Sequence, residues 1–145
     1  MTENRSPAAA GSAAATDLYA LGLETMGAIV GAAYPGSSVS ADGLRDGLFA
    51  DEITEIGLVG VWGALWGREG LSRRDRSLVT LGILIALGAE DEFGSHVRIG
   101  LGNGLTEDEI AEVVYHSGGY AGFPRAMAAR KAARAALGQS ASIAD

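Results

Sequence analysis

The sequence predicts an all-α domain of about six helices, and three observations carry that expectation. Apolar residues recur at three- and four-residue intervals in several segments, the spacing of one helical face. Those segments open on residues that cap helix N-termini and close on glycine or proline. No run alternates apolar and polar residues as a half-buried strand does, and no internal repeat is present. The length, 145 residues, suits one domain with a real core.

Residues 1–15 are small and polar and read as a disordered tail. They lack the positive start and apolar centre of a secretory signal, so a cytoplasmic protein is expected. Thr16 is an N-cap candidate for a first helix through Leu18, Leu21, Met26 and Ile29 toward Gly31. Tyr34-Pro35-Gly36 then breaks it. Asp42 to Phe49 reads equally as a short helix or a loop. Asp51 to Trp66 reads as a second main helix, with acids in its first turn as the macrodipole favours.

Ser72 caps the next helix, which runs from Arg73 to about Leu87 and ends at Gly88. It is apolar nearly all round after its first turn, so it should be central to the core. Glu90 to about Gly100 is another helix, followed by a turn at Gly102-Asn103-Gly104. Thr106 and Glu109 form a capping box for a helix reaching about Ser117, where Gly118 and Gly119 weaken its end. Pro124 suits the first turn of a last helix that continues to Leu137. Its basic residues, Arg125, Arg130, Lys131 and Arg134, read as a solvated face. The expected domain is thus 16–137, with 138–145 a C-terminal tail.

Eleven basic against eighteen acidic residues give a net charge of -7, a poor match to a phosphate backbone, so no nucleic-acid partner is expected. The chain has no cysteine, which excludes disulfides, thiol redox chemistry, cysteine nucleophiles and thiolate metal sites. Two histidines are too few for a histidine-rich metal site. The longest apolar run, Leu78 to Leu87, is interrupted by Thr80 and Gly82 and falls short of the roughly 20 residues of a membrane span. Twenty-two glycines point either to close helix packing or to a roomy pocket.

The candidate chemistry starts at Glu92 and His96. Four residues apart on a helix, they share a face. A carboxylate there would fix the imidazole tautomer and raise its pKa, as a general acid or base requires. The bland alternative is an ordinary surface pair. His116, in VVYHSGGY, reads as a core histidine near a helix end. Arg73, Arg74 and Arg76 cluster at a helix N-terminus, where cations oppose the macrodipole unless anions balance them. Asp75, Glu69, a neighbouring subunit or a bound carboxylate could do so. Trp62 and Trp66 read as core or subunit contacts before a ligand shelf.

The order of these motifs resembles the γ-carboxymuconolactone decarboxylase family, which includes the AhpD-like alkylhydroperoxidases. The resemblance runs through GLSRRDRSLVT, the acid-acid-x-x-x-His run, NG-x-T-x-x-EI and Y-x-G-x-P, and covers about Trp62 to Leu137. It implies an AhpD-like helical fold, a homo-oligomer (trimer or hexamer), no cofactor or metal, and loss of CO2 from a small carboxylic acid. His96 and Glu92 match the family's catalytic histidine and preceding acid. Arg73 and Arg76 match its R-x-x-R-S run, and Arg98, Tyr120 and Pro124 also match. His116 falls where members carry His or Gln. Arg73, Arg76, His116, Tyr120 and Trp66 form the candidate substrate-binding set.

The departures are equally informative. The peroxidase branch carries C-x-x-C at the positions of Ala89 and Glu92, and its relay glutamate aligns with Ser77. Without thiols its exchange chemistry cannot run. The decarboxylase branch carries arginines and a histidine at positions that align with Met26, Gly27, Val59 and Gly60. Such losses of positive charge imply a more apolar substrate. The expectation is a cofactor-independent carboxy-lyase on a small cyclic acid. The alternative is a non-catalytic or isomerase-type member serving as a binding or assembly subunit.

Overall fold

In the computed structural model, described for residues 7–139 (side-chain surroundings from residue 17), six α-helices and no strand occur among the described residues. They are α1 (Pro7–Ala33), α2 (Ile53–Gly57), α3 (Arg73–Leu87), α4 (Glu90–Gly102), α5 (Glu107–Tyr120) and α6 (Phe123–Ala136). The described residues divide between two compact units, one of residues 7–31 and 36–70, the other of residues 32–35 and 71–139. No described helix is long and apolar enough to cross a membrane. Residues 1–6 of the expected N-terminal tail and 140–145 of the C-terminal one lie outside the described residues.

The first unit departs most from expectation. Helix α1 starts at Pro7, not Thr16. Proline suits a first helical turn, and the alanines of PAAAGSAAAT are the best helix formers, so the segment extends the helix. Asp42 to Phe49 resolves into a 3-10 turn at Ala41–Gly43 and a loop. Asp51 straps that loop: its Oδ1 accepts the N–H groups of Asp46 and Gly47 at 2.6 and 3.1 Å. These bonds hold the Asp51 carboxyl below its ordinary pKa. Arg45 donates from Nε to Glu55 at 2.7 Å, joining the loop to α2.

The expected helix 51–66 is α2 continued by a π-helix, Leu58–Trp66, closed by the Gly67 N–H donating to the Trp62 carbonyl at 3.0 Å. The wider coil meets α1 through glycine. A Cβ on Gly63 would lie 2.3 Å from the Leu18 carbonyl oxygen, and one on Gly22 would lie 2.5 Å from that of Leu58. Glycines therefore serve close packing here, whereas Gly27, Gly57 and Gly60 border open space.

The second unit is a four-helix assembly in which α4 packs on α6 and α3, and α5 on α6 and α3. Its core unites Leu81 and Ile85 with Phe93, Val97, Leu105, Ile110 and Val114, closed by Ala126, Ala129 and Ala133 of α6. Small alanines on α6 let its backbone approach its neighbours. Helix α3 runs over its expected range, but only one side enters this core. Val79, Ile83 and Leu87 on another side are 53%, 52% and 68% exposed.

The caps act as their residue types dictate. Ser72 Oγ accepts the Asp75 N–H at 3.0 Å. Thr106 and Glu109 complete a reciprocal capping box. Helix α5 runs through Gly118 and Gly119 to Tyr120, three residues past Ser117, because its neighbours α3 and α6 outweigh a glycine cost of about 1 kcal/mol each. Gly88 ends α3 in the left-handed conformation at φ 70°. The guanidinium of Arg125 lies against Gly88, at the negative end of the α3 dipole, so this cation has a specific task beyond solvation.

Candidate active site

The start of α3 presents the arginine cluster. Arg73 is exposed, while Arg74 and Arg76 are half-buried, with Arg76 Nε a buried atom. Arg74 pairs with Glu109 on α5 and lies 3.6 Å from Asp75. Asp75 was among the anions expected to balance the cluster; Glu109 was not. Glu109 also accepts the Thr106 N–H at 3.0 Å, so one carboxylate caps α5 and ties its first turn to that of α3. Both partners are partly exposed, so the pair contributes at most about 1 kcal/mol, and its value is placement.

Helix α4 carries Glu92 and His96. Glu92 is exposed, whereas His96 is half-buried with Nδ1 inside. Burial pushes the His96 pKa below its ordinary 6.5, and the Glu92 charge pulls it upward by a lesser amount. The expectation of a raised pKa is therefore corrected. Water screens an exposed carboxylate, so its pull on the ring is weaker than the effect of taking the ring out of solvent. The imidazole is therefore neutral near pH 7, where one ring nitrogen carries the proton and the other is an acceptor.

His116 and Tyr120 sit one turn apart on α5, with ring centroids 5.0 Å apart and planes inclined by 35°. His116 is exposed, which corrects the core-histidine expectation: its face of α5 looks into an open groove, not the helix core. That groove, of about 480 Å3, is lined by Leu78 and Gly82 of α3 and Val113 and Ser117 of α5. Arg98 stacks over the Tyr34 ring, 5.6 Å from its centroid. Trp66 belongs to the other unit; it is buried, with its ring centroid 5.6 Å from that of Trp62.

One polar contact has no signal in local sequence. Asn103, at the C-terminal end of α4, donates from Nδ2 to Ser77 Oγ of α3 at 3.0 Å. Ser77 is buried and adjoins Arg76. Sequence reading assigns Asn103 only to a turn, because nothing local shows which residue 26 positions away its amide meets.

The helical architecture, with a half-buried neutral imidazole one turn from a carboxylate, defines a small all-α protein. The carboxymuconolactone decarboxylase family model matches residues 57–135, and the chain belongs to that family. It is similar to a 4-carboxymuconolactone decarboxylase of Acinetobacter baylyi, 50% identical over 68 residues, which covers 47% of this chain and 51% of the relative. It is also similar to a nitrosuccinic acid decarboxylase of Metarhizium robertsii, 49% identical over 63 residues, 43% of this chain and 44% of the relative. The chain thus spans about half the length of the curated relatives it matches.

Proposed function

We propose that this protein is a carboxy-lyase that removes CO2 from a small cyclic carboxylic acid without a cofactor. The observation that carries the reading is His96, neutral, half-buried and one turn from Glu92, in a family whose matched relatives are named as decarboxylases. When the carbon–carboxylate bond breaks, its electron pair passes into the conjugated ring and leaves an enolate or dienolate. Arg76, with Arg73, holds the carboxylate or the developing oxyanion. Neutral His96, oriented by Glu92, relays the proton that completes the product, donating from one ring nitrogen to the enolate as the other takes a proton from water. His116 and Tyr120 serve as a second donor or a hydrogen-bonding wall.

The substrate is proposed to be poorer in carboxylates and richer in hydrocarbon than carboxymuconolactone. Met26, Gly27, Val59 and Gly60 stand where the resemblance implies cations, and each unpaired buried carboxylate costs several kcal/mol. The test is kcat/KM for CO2 release from carboxymuconolactone, nitrosuccinic acid and a panel of mono-carboxylated ring acids. Preference for the last group is expected. Efficient turnover of the lactone would remove the substrate assignment. No CO2 release from any acid, by folded protein, would favour the binding-subunit alternative.

We further propose a homo-oligomer, trimer or hexamer, acting in the cytoplasm. On the π-helix, Leu58 and Trp66 are buried within the chain, while Val61 remains exposed. The larger unpartnered surface lies on α3, at Val79, Ile83 and Leu87, spaced four apart along one stripe. Light scattering at micromolar concentration should give a mass of three or six chains, and Ile83→Asp should lower it. A single-chain mass for the unaltered protein would overturn the assignment.

A further inference from the structure

We propose that Asn103 is a positioning residue: its bond to Ser77 sets the register of α4, and with it His96, against the arginine-bearing start of α3. The inference rests on the decarboxylase reading for its kinetic consequence, and on geometry alone for its structural one. Helices α3 and α4 form a hairpin whose short connection, Gly88 and Ala89, joins the end of one to the start of the other. The opposite end of the hairpin, where Arg73 and Arg76 begin α3, gains no restraint from that connection. There the Asn103 amide reaches Ser77 at 3.0 Å.

Spacing places this bond beside the candidate chemistry. Asn103 follows His96 by seven residues, two helical turns, so both lie near one face of α4. Ser77 follows Arg73 by one turn and Arg76 by one residue. The distance along α4 from Asn103 to His96 is about 10 Å at 1.5 Å per residue, a length a small acid and an arginine side chain can bridge together.

The turn itself does not require the amide. The Asn103 N–H donates to the Ile99 carbonyl at 2.9 Å, Gly104 supplies the positive φ of 97°, and the Leu105 N–H donates to the Gly100 carbonyl at 2.9 Å. Backbone groups thus complete the chain reversal, and the Asn103 side chain is directed at α3 alone among the hydrogen bonds described for it. A directional bond to a buried hydroxyl selects one register where apolar contacts tolerate several.

The test compares Asn103→Ala, Ser77→Ala, the double variant and Asn103→Asp, with the unaltered protein as reference. Asn103→Ala should lower kcat about 10- to 100-fold, the loss expected of a reacting group displaced by roughly 1 Å, with KM changed less than about twofold. Ser77→Ala should match it, and the double variant should be no worse than either. Asn103→Asp should restore most of the rate, because the Ser77 hydroxyl can donate to the carboxylate. Independently of any substrate, the ring NMR signals of His96 should move in Asn103→Ala while those of His116 stay in place, the two being the only imidazoles. Unmoved His96 signals, additive losses in the double variant, or a loss confined to KM would overturn the proposal. If the unaltered protein releases CO2 from no acid, the decarboxylase reading falls while the ring signals still decide the positioning role. Ser77→Ala, a good helix former, supplies the same NMR comparison should Asn103→Ala not fold.

Discussion

Replacing His96 with alanine is expected to lower kcat for CO2 release about 10²- to 10⁴-fold, the usual contribution of a positioned acid or base. The protein should remain folded and associated, because the ring is only half-buried on α4, whose packing rests on Phe93 and Val97. Glu92→Gln should cost less, since an amide retains hydrogen-bonding capacity and loses only a screened charge. The pH dependence distinguishes the two. Burial holds the His96 pKa below 6.5, so activity requiring the neutral ring should persist below pH 6.5 and fall only on its acid side. Glu92 raises that pKa, so Glu92→Gln should move the acid limb to still lower pH.

The same shift has a consequence for stability. The unfolded chain binds this proton more readily than the folded one. The contribution of neutral His96 is therefore fully present above pH 6.5 and is lost as pH falls through the lower folded pKa. Steady-state rates across pH, with denaturation midpoints at the same values, measure both effects. Near-normal rates for His96→Ala would remove the histidine from the mechanism.

Gly63→Ala is expected to destabilise the protein by roughly 3 kcal/mol, the upper range for overpacking. The added Cβ would lie 2.3 Å from the Leu18 carbonyl oxygen and 3.1 Å from its carbon, both backbone atoms of α1 that no rotamer change can move. Alanine's helix propensity offsets only about 1 kcal/mol of that cost. Gly60→Ala is the matched control: a Cβ there meets nothing within 4 Å, so it should be neutral or slightly stabilising. Urea unfolding followed by circular dichroism separates them, and equal midpoints for the two variants would mean that α1 and the π-helix are not held at that separation.

Legibility varied with the range of the interaction. The starts of α3 and α5 could be read because Ser72 and Thr106 cap through bonds to residues three positions away. Glu92 and His96 could be paired because one helical turn separates them. The direction of the His96 shift could not, since it depends on how much of the ring the assembled helices cover. The second task of Glu109, on Arg74, was hidden for a related reason: the pair spans 35 positions and exists only once α3 and α5 are packed.

The sequence by itself determined the helical class, the capped starts of α3 and α5, and a set of arginine, carboxylate and imidazole groups in family order. Helical periodicity, caps and spacing are local properties, and a single chain displays them directly. Only the tertiary structure decided which of the many glycines are obligatory, that the helix begun at Ile53 continues as a π-helix from Leu58, that Val79, Ile83 and Leu87 remain uncovered, and that Asn103 meets Ser77. Each of these depends on how closely two backbones approach or which surfaces face one another. Those distances follow from the packing of all the helices together, not from any segment alone.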